Sequence, residues 1–154
     1  MALEALLEDY VTGPQKLRQA VAGMTAAQWD ARPVAGKWST REVVCHLADC
    51  EPVYADRMKR VIAEDRPTIF ALDPDAFAAR LAYAERDMDE ELTLIEATRR
   101  HMVRILRTLP ADAFQRTAVH SVDGPITLET LLQRITRHLP HHIRFIEEKR
   151  AALA

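Results

Sequence analysis

The chain has 154 residues, of which 48% are hydrophobic and 29% are charged, a composition typical of a soluble globular protein with its own core. Its formal net charge of −2 provides no basic surface of the kind that attracts nucleic acid or an anionic membrane. Only four residues are glycine, and the many alanines, leucines, arginines and glutamates favour helix over sheet. We therefore expect a single all-α domain over residues 1–154.

Nothing in the sequence indicates an exported or membrane-bound protein. The first ten residues contain three acidic side chains and no basic one, unlike a secretory signal peptide, and no apolar run is long enough to span a bilayer. Cys45 and Cys50 form neither a CxxC motif nor a disulfide framework. We expect a cytoplasmic protein with a small-molecule substrate and no nucleic-acid or membrane partner.

Four long segments repeat apolar residues at the spacing of amphipathic helices, which predicts a four-helix bundle. Pro14 is expected to kink or restart the first helix. Ser39 begins a capping box ahead of the second, and Thr127 is the predicted N-cap of the last. The predicted helices are Leu3–Met24, Thr40 to about Glu64, Glu85–Leu109 and Leu128–Arg150.

The connections between these helices differ in length. Residues 25–37 have room for one short helical turn, and Asp75–Leu81 is a candidate short helix within the second connection. The pattern over Phe114–Ile126 is short and non-helical, with Asp123-Gly124 as a turn signal. This segment predicts a small hairpin or an ordered loop before the last helix.

Three histidines fall on the inward faces of two predicted helices. At 100° per residue, His46 lies in a mostly apolar row of the second helix. His138 and His142 are four residues apart on the apolar side of the last helix, so both rings can reach one point. Pro140 lies between them, at a cost of roughly 3 kcal/mol in an ordinary helix interior, and predicts a local kink.

Three imidazoles from two facing helices predict a mononuclear metal site. Three protein ligands leave one position for water or substrate, as in catalytic zinc sites. The alternative is three ordinary bundle histidines, each satisfied by a hydrogen bond. For His46 alone this alternative is the better one, and the HxxxH pair alone decides little. Three inward imidazoles without a shared purpose would each carry a desolvation cost, which favours the metal.

Two motifs of this chain resemble a known family, the DinB-like proteins, including their YfiT-type branch. The first motif reads Gly36-Lys37-Trp38-Ser39 and continues as Glu42-Val43-Val44-x-His46-Leu47-Ala48-Asp49-x-Glu51, and the second reads His138-x-x-His141-His142. The resemblance implies an up-down-down-up four-helix bundle, commonly dimeric, that holds a divalent metal, often zinc or nickel, with three histidines. On this match the ligands are His46, His138 and His142.

Other residues near the histidines have two possible roles each. Asp49 and Glu51 could orient a ligand histidine or act as a base, although a solvated carboxylate is the better interpretation of Glu51, which points about 140° away from His46. Arg57 could bind an anionic group of a substrate or form an internal salt bridge. Cys50 could compete as a soft ligand, but a small buried core residue is the better interpretation.

His101 and His120 have no partner in the sequence, and we interpret them as surface or structural residues. The family that the chain resembles includes hydrolases and thiol-dependent transferases and isomerases, so function depends on the site. The leading hypothesis is a metal-dependent enzyme on a small molecule, either a hydrolase or an enzyme of S-transfer or isomerisation with a low-molecular-weight thiol. The alternatives are a metal- or stress-responsive binding protein that acts through its dimer surface, and a metal-free bundle for protein contacts.

Overall fold

The computed structural model of the protein describes residues 2–154. Met1, the first residue of the segment that we inspected for a secretory signal, lies outside them. The α-helices are α1 Ala2–Val21, α2 Ala26–Asp30, α3 Thr40–Ala63, α4 Pro74–Arg80, α5 Met88–Leu106 and α6 Leu128–Ala152. Three short strands accompany them: β1 Thr68–Ile69, β2 Thr117–His120 and β3 Gly124–Thr127. Within residues 2–154 no helix combines the length and apolarity needed to cross a membrane.

The four long helices, α1, α3, α5 and α6, form a bundle in which α1 and α3 each pack against both α5 and α6. Arg18 near the end of α1 contacts Asp89 at the start of α5 at 2.8 Å, so these two helices are antiparallel. Arg150 near the end of α6 donates to the carbonyl of Ala20 at 3.0 Å. Helices α1 and α6 therefore run in the same direction.

The direction of α3 completes the topology. Asp49, early in α3, pairs with Arg86, just ahead of α5, at 2.9 Å, and Glu51 pairs with Arg99 further along both helices at 2.7 Å. Helices α3 and α5 are therefore parallel to each other and antiparallel to the outer pair. This up-down-down-up arrangement confirms the predicted four-helix bundle.

Local capping explains where the helices begin. The Ser39 hydroxyl accepts from the amide of Glu42 at 3.1 Å and the Glu42 carboxylate accepts from the amide of Ser39 at 2.7 Å, so the predicted capping box is present. Helix α5 begins at Met88, later than predicted. The reason is that the Asp87 side chain caps it, by accepting from Glu90, after a 3₁₀ turn at Tyr83–Glu85.

The short strands lie between the ends of the bundle helices. Strand β2 pairs antiparallel with β3 and parallel with β1, in the order β1-β2-β3. The hairpin prediction is therefore confirmed, whereas β1 was not predicted. Arg116, just before β2, donates to the carbonyls of Val61 and Glu64, each at 2.8 Å. These bonds fix the sheet to the C-terminal end of α3.

The core consists of two hydrophobic clusters at successive levels of the bundle. One includes Leu7, Met102 and Leu131, and the other includes Leu17 and Leu139. Arg99 and Glu51, both fully buried, lie at the level where the first cluster gives way to the second. The ring of Tyr10 in α1 and the carbonyl of Ile135 in α6 also contact Arg99, so all four long helices meet at this ion pair.

Candidate metal centre

Three imidazole rings meet between α3 and α6. The ring centroids of His46 and His138, and of His46 and His142, are 4.9 Å apart, and those of His138 and His142 are 4.7 Å apart. The Nε2 atoms of His46 and His138 are 3.1 Å apart. The structure thus brings together the three histidines that helical phase placed on inward faces.

Burial keeps these rings in the neutral form, the form that binds metal. Desolvation is the largest cause at each ring. It lowers the pKa of His138 to about 3, with help from His142 and His46. It lowers the pKa of His142 to about 4. It also lowers the pKa of His46, against the opposing charge of Asp49. Near pH 7 all three rings can therefore offer a lone pair.

The nitrogen positions of His46 and His138 are compatible with a shared cation, and His142 lies beside them by its ring-centroid distances. Imidazole nitrogens on one tetrahedral zinc ion, at about 2.0–2.1 Å each, would be about 3.3 Å apart, close to the 3.1 Å between His46 and His138. The buried Nδ1 atoms of His138 and His142 have no hydrogen-bond partner among residues 2–154. These two nitrogens do not fit the alternative of three ordinary histidines that are each fully hydrogen-bonded, and three neutral imidazoles side by side are a donor set that suits a divalent metal.

A sulfur atom also belongs to this cluster. Cys50 Sγ is 3.8 Å from His46 Nδ1, and His46, Cys50 and His138 form a group whose potential ligand atoms all lie within 4.8 Å of one another. Cys50 is buried and packs in the core as we expected, and desolvation raises the pKa of its thiol to about 12. Its side chain could act as a fourth ligand only after it loses that proton.

Asp49 forms its hydrogen bond and its ion pair away from the two histidines of α6. It accepts a hydrogen bond from the hydroxyl of Tyr83 at 2.7 Å and pairs with Arg86 at 2.9 Å. Its effect on His46 acts through charge and not through a hydrogen bond. Its predicted catalytic role stays a prediction.

The structure corrects our interpretation of Glu51. The solvated carboxylate that we favoured is wrong, because Glu51 is fully buried. Its Oε1 accepts from Arg99 Nε at 3.0 Å and from Nη2 at 2.7 Å. Desolvation raises the pKa of Glu51, and Arg99 opposes this shift. The contacts of this carboxylate are with Arg99, so it faces the interior of the bundle and not the histidines.

A cavity of about 270 Å³ opens beside two of the histidines, and we call it the Arg57 cavity. No Asp or Glu of the described chain lines it, although it contains two arginines. Its lining residues are His46, Cys50, Val53, Tyr54, Arg57, Ala71, Leu72, Pro74, His120, Arg134 and His138. Arg134 pairs with Asp123 at 2.5 Å, so of the two arginines next to the candidate metal centre, Arg57 is the one that has no ion-pair partner in the described chain.

Arg57 is held in this cavity without a carboxylate. It is 6% exposed, donates to the carbonyl of Phe70, and lies over the ring of Tyr54 at 4.8 Å. Within residues 2–154 no carboxylate oxygen lies within 4.0 Å of its guanidinium nitrogens. The internal salt bridge that we considered for Arg57 is therefore wrong.

His120 is a residue of this cavity that sequence analysis missed. It is 8% exposed, and its Nδ1 accepts from the amides of Val122 and Asp123 at 3.3 and 3.2 Å. In a neutral ring this places the proton on Nε2, which makes that atom a donor. The only signal in the sequence was its place in a predicted hairpin, since it has no neighbouring metal-ligand motif. His101, in contrast, is exposed as we expected.

Comparison with known proteins gives relatives over almost the whole chain. The family model of the DinB superfamily matches residues 9–146. The Bacillus subtilis (strain 168) protein named “Putative metal-dependent hydrolase YfiT” is 35% identical over 136 residues, which are 88% of this chain and 76% of that protein. An Oceanobacillus iheyensis protein with the same description, OB0782, is 29% identical over 86% of this chain and 77% of its own length.

Solved structures agree with these relatives. The YfiT structure from Bacillus subtilis, described as a probable metal-dependent hydrolase with an unusual four-helix bundle topology, superposes with a TM-score of 0.91 and 31% identity, over 97% of this chain and 86% of YfiT. A mycothiol-dependent maleylpyruvate isomerase shares the fold, with a TM-score of 0.72 and 15% identity, over 94% of this chain and 60% of the isomerase. The chain belongs to the DinB superfamily, as the histidine motifs and the helix order indicated.

Proposed function

We propose that this protein is a metal-dependent enzyme that acts on a small molecule, with hydrolysis as the leading reaction. The observation that carries the proposal is the triangle of His46, His138 and His142, with ring centroids 4.7–4.9 Å apart. In this proposal the three imidazoles hold a divalent ion, zinc or nickel, and leave one position for a reactant. Such an ion lowers the pKa of bound water toward neutrality.

The Arg57 cavity supplies the substrate site of this proposal. Arg57 provides positive charge without an ion-pair partner, Arg134 adds a guanidinium that pairs with Asp123 at 2.5 Å, and His120 provides a further donor. We therefore propose that the substrate carries an anionic group, which these side chains bind and orient. No carboxylate of the described chain lines the cavity, so this proposal gives the role of a base to neither Asp49 nor Glu51, which pair with Arg86 and Arg99.

The curated relatives support hydrolysis over other metal chemistry. YfiT and OB0782 both carry the description “Putative metal-dependent hydrolase”, and the YfiT structure superposes on 97% of the length of this chain. Their descriptions concern those proteins, and the activity of this chain is our proposal.

A second candidate is transfer or isomerisation that uses a low-molecular-weight thiol, bound as thiolate. The isomerase that shares the fold is mycothiol-dependent by name. A cavity with two arginines and no lining carboxylate would also suit the carboxylates of a thiol cofactor. A binding protein without catalysis, which responds to metal or stress through the surface of a homodimer, is the alternative outside enzymes. We propose a cytoplasmic homodimer in each case.

Metal content is the first test of this proposal. The wild type and the variants His138→Ala and His101→Ala are purified under identical conditions, and zinc and nickel are measured by elemental analysis. We expect about one metal ion per chain in the wild type and in His101→Ala, whose histidine is exposed. We expect loss of the metal in His138→Ala, with circular dichroism to verify that the variant is folded. Equal metal content in all three proteins would remove His138 from the site.

Activity assays then separate the two reactions. Release of p-nitrophenolate from anionic p-nitrophenyl esters tests hydrolysis, and conjugation of 1-chloro-2,4-dinitrobenzene with added small thiols tests S-transfer. We expect the hydrolysis to stop after chelation and to return with zinc or nickel. Conjugation alone, lost in His138→Ala, would favour the thiol reaction. Bound metal with neither activity would favour the binding protein.

A further inference from the structure

A second cavity opens beside the histidines and has no place in the proposed reaction. It has a volume of about 240 Å³ and shares no lining residue with the Arg57 cavity. We call it the Lys149 cavity, and the residues that matter for its chemistry are Lys37, Trp38, Val43, His142, Phe145 and Lys149. One of the three imidazoles, that of His142, is thus part of its wall.

Lys149 is a lysine in a buried position. It is 3% exposed, although lysine is almost never fully buried unless it is paired. Its ammonium group donates to the carbonyl of Phe145 at 3.1 Å and lies 5.9 Å from the centroid of the Phe145 ring. Within residues 2–154 no carboxylate oxygen comes within 4.0 Å of it. A buried ammonium group with one neutral partner retains donors for an anion.

Two acidic residues, Glu42 and Glu148, act on Lys149 through their charge and not through an ion-pair contact. Glu42 accepts from the amide of Ser39 and pairs with Arg32, and Glu148 is exposed on the surface of α6. Lys37 adds a second positive charge to the same cavity. The lining of the cavity therefore has two lysines and no carboxylate among the described residues, and a bound anion would be attracted to it.

The remaining walls are apolar and mostly aromatic. The ring of Trp38 has its centroid 5.2 Å from that of His46, and the ring of Phe145 has its centroid 5.9 Å from that of His142. These rings and Val43 offer apolar surface next to the ammonium group of Lys149. An engineered apolar cavity of about 150 Å³ holds benzene, so 240 Å³ has room for an aromatic ring with an anionic substituent.

We propose that the Lys149 cavity binds a second organic ligand, a small carboxylate with an aromatic or branched apolar body. Lys149 binds the carboxylate, with Lys37 as a further positive charge, and Trp38, Val43 and Phe145 contact the apolar body. This inference goes beyond the proposed hydrolysis, since hydrolysis needs one organic substrate and water. Two separate cavities at one histidine cluster suit a reaction with two organic reactants.

The test measures binding of benzoate and of benzamide, its neutral counterpart, by isothermal titration calorimetry at constant ionic strength. The full-length wild type is compared with Lys149→Met, Lys149→Arg and Lys59→Met, in which an exposed lysine of α3 undergoes the same change. We expect saturable benzoate binding to the wild type and to Lys59→Met. Loss of a charged hydrogen bond should weaken it about tenfold or more in Lys149→Met, and Lys149→Arg should restore part of it.

Each other result would overturn the inference. Equal binding of benzamide and benzoate would show that the site does not recognise charge. An unchanged affinity of Lys149→Met for benzoate would show that Lys149 is not part of the binding site. Absence of benzoate binding to the wild type would reject the ligand class. The titration is repeated after chelation, because benzoate that binds only to metal-loaded protein, and equally well to Lys149→Met, would be a ligand of the metal. The measurement requires neither metal nor activity. Benzoate binding can therefore be absent while the proposed function is correct, and it can be present while the proposed function is wrong.

Discussion

The guanidinium of Arg57 is a charged group that the fold leaves without a carboxylate in ion-pair contact. It is nearly buried, it has one carbonyl partner, and it lies over the ring of Tyr54. A buried charge is costly unless it is paired. Arg60, one turn further along α3, is exposed and pairs with Asp56 and Glu64. Arg57 is thus buried without an ion pair and Arg60 is exposed with two, so Arg60 is a suitable control for mutation of Arg57.

Replacement of Arg57 should weaken anion binding in the Arg57 cavity. We expect Arg57→Gln to reduce the affinity for malonate, measured by isothermal titration calorimetry, by about tenfold or more, since hydrogen bonds to charged groups contribute about 1.5–3 kcal/mol. Arg60→Gln should bind malonate as the wild type does. If both variants bind it equally, the cavity does not use Arg57 for anions.

For single residues the sequence predicted the inward histidines and the buried Cys50, but not the surroundings of Glu51 and His120. Helical phase was enough for His138 and His142, because two residues four apart on one helix keep their relation in any fold. Glu51 was misinterpreted because its partner, Arg99, is 48 residues away, and the periodicity of one helix carries no information about another. The same holds for His120, whose role depends on a cavity that four separate elements enclose.

In helix α1 a carbonyl that lacks its helical hydrogen bond is satisfied by a side chain of another helix. The helix continues through Pro14, so a restart there, one of the two outcomes that we expected, does not occur. Proline has no amide hydrogen for the carbonyl of Tyr10, four residues earlier. Arg99 of α5 donates to that carbonyl at 2.8 Å and to the carbonyl of Ile135 in α6 at 2.7 Å. The neighbouring Gly13 leaves room for this guanidinium.

Gly13→Ala should therefore destabilise the bundle. A Cβ at this position would lie 2.7 Å from Arg99 Nη1 and 3.3 Å from Leu139 Cδ1, and Arg99 is held by several bonds. Overpacking of this kind costs about 1–3 kcal/mol, against a gain of about 1 kcal/mol from helix propensity. We expect a lower melting temperature in Gly13→Ala and little change in Gln15→Ala, which alters an exposed residue of the same helix. A higher melting temperature in Gly13→Ala would mean that Arg99 moves freely.

Element boundaries were predictable where a local signal existed. The capping box at Ser39 and the N-cap at Thr127 mark the first residues of α3 and α6. The sequence reveals them because the capping hydrogen bonds join residues that are only three positions apart. Strand β1 has two residues and pairs Thr68 with Val119, a partner far along the chain. A strand of this length has no periodicity of its own, so the sequence could not indicate it.

For the molecule as a whole, the buried neutral histidines link stability to pH. In the folded state the pKa of His138 is lowered to about 3 and that of His142 to about 4, whereas in the unfolded chain histidine titrates near 6.5. Between these values the unfolded state binds more protons than the folded state. Stability therefore rises with pH in this window and is lost as the pH falls.

Metal-free protein should become less stable as the pH falls from about 6.5 toward 4, by up to about 1.4 kcal/mol per pH unit for each such histidine. Urea unfolding at several pH values measures this dependence. We expect a shallower dependence in His138→Gln and the wild-type dependence in His101→Gln, because His101 is exposed. Identical slopes in the three proteins would contradict neutral burial of His138.

His46 and His138 are 92 positions apart in the chain, so a cation shared by them would close a loop that contains more than half of the protein. Such a link would act as a reversible counterpart of a disulfide, and the entropy model for covalent loops of this size gives about 4–5 kcal/mol. Loading with metal would then govern resistance to unfolding and proteolysis as well as reactivity. Removal of that metal would then lower the free energy of unfolding of the whole bundle.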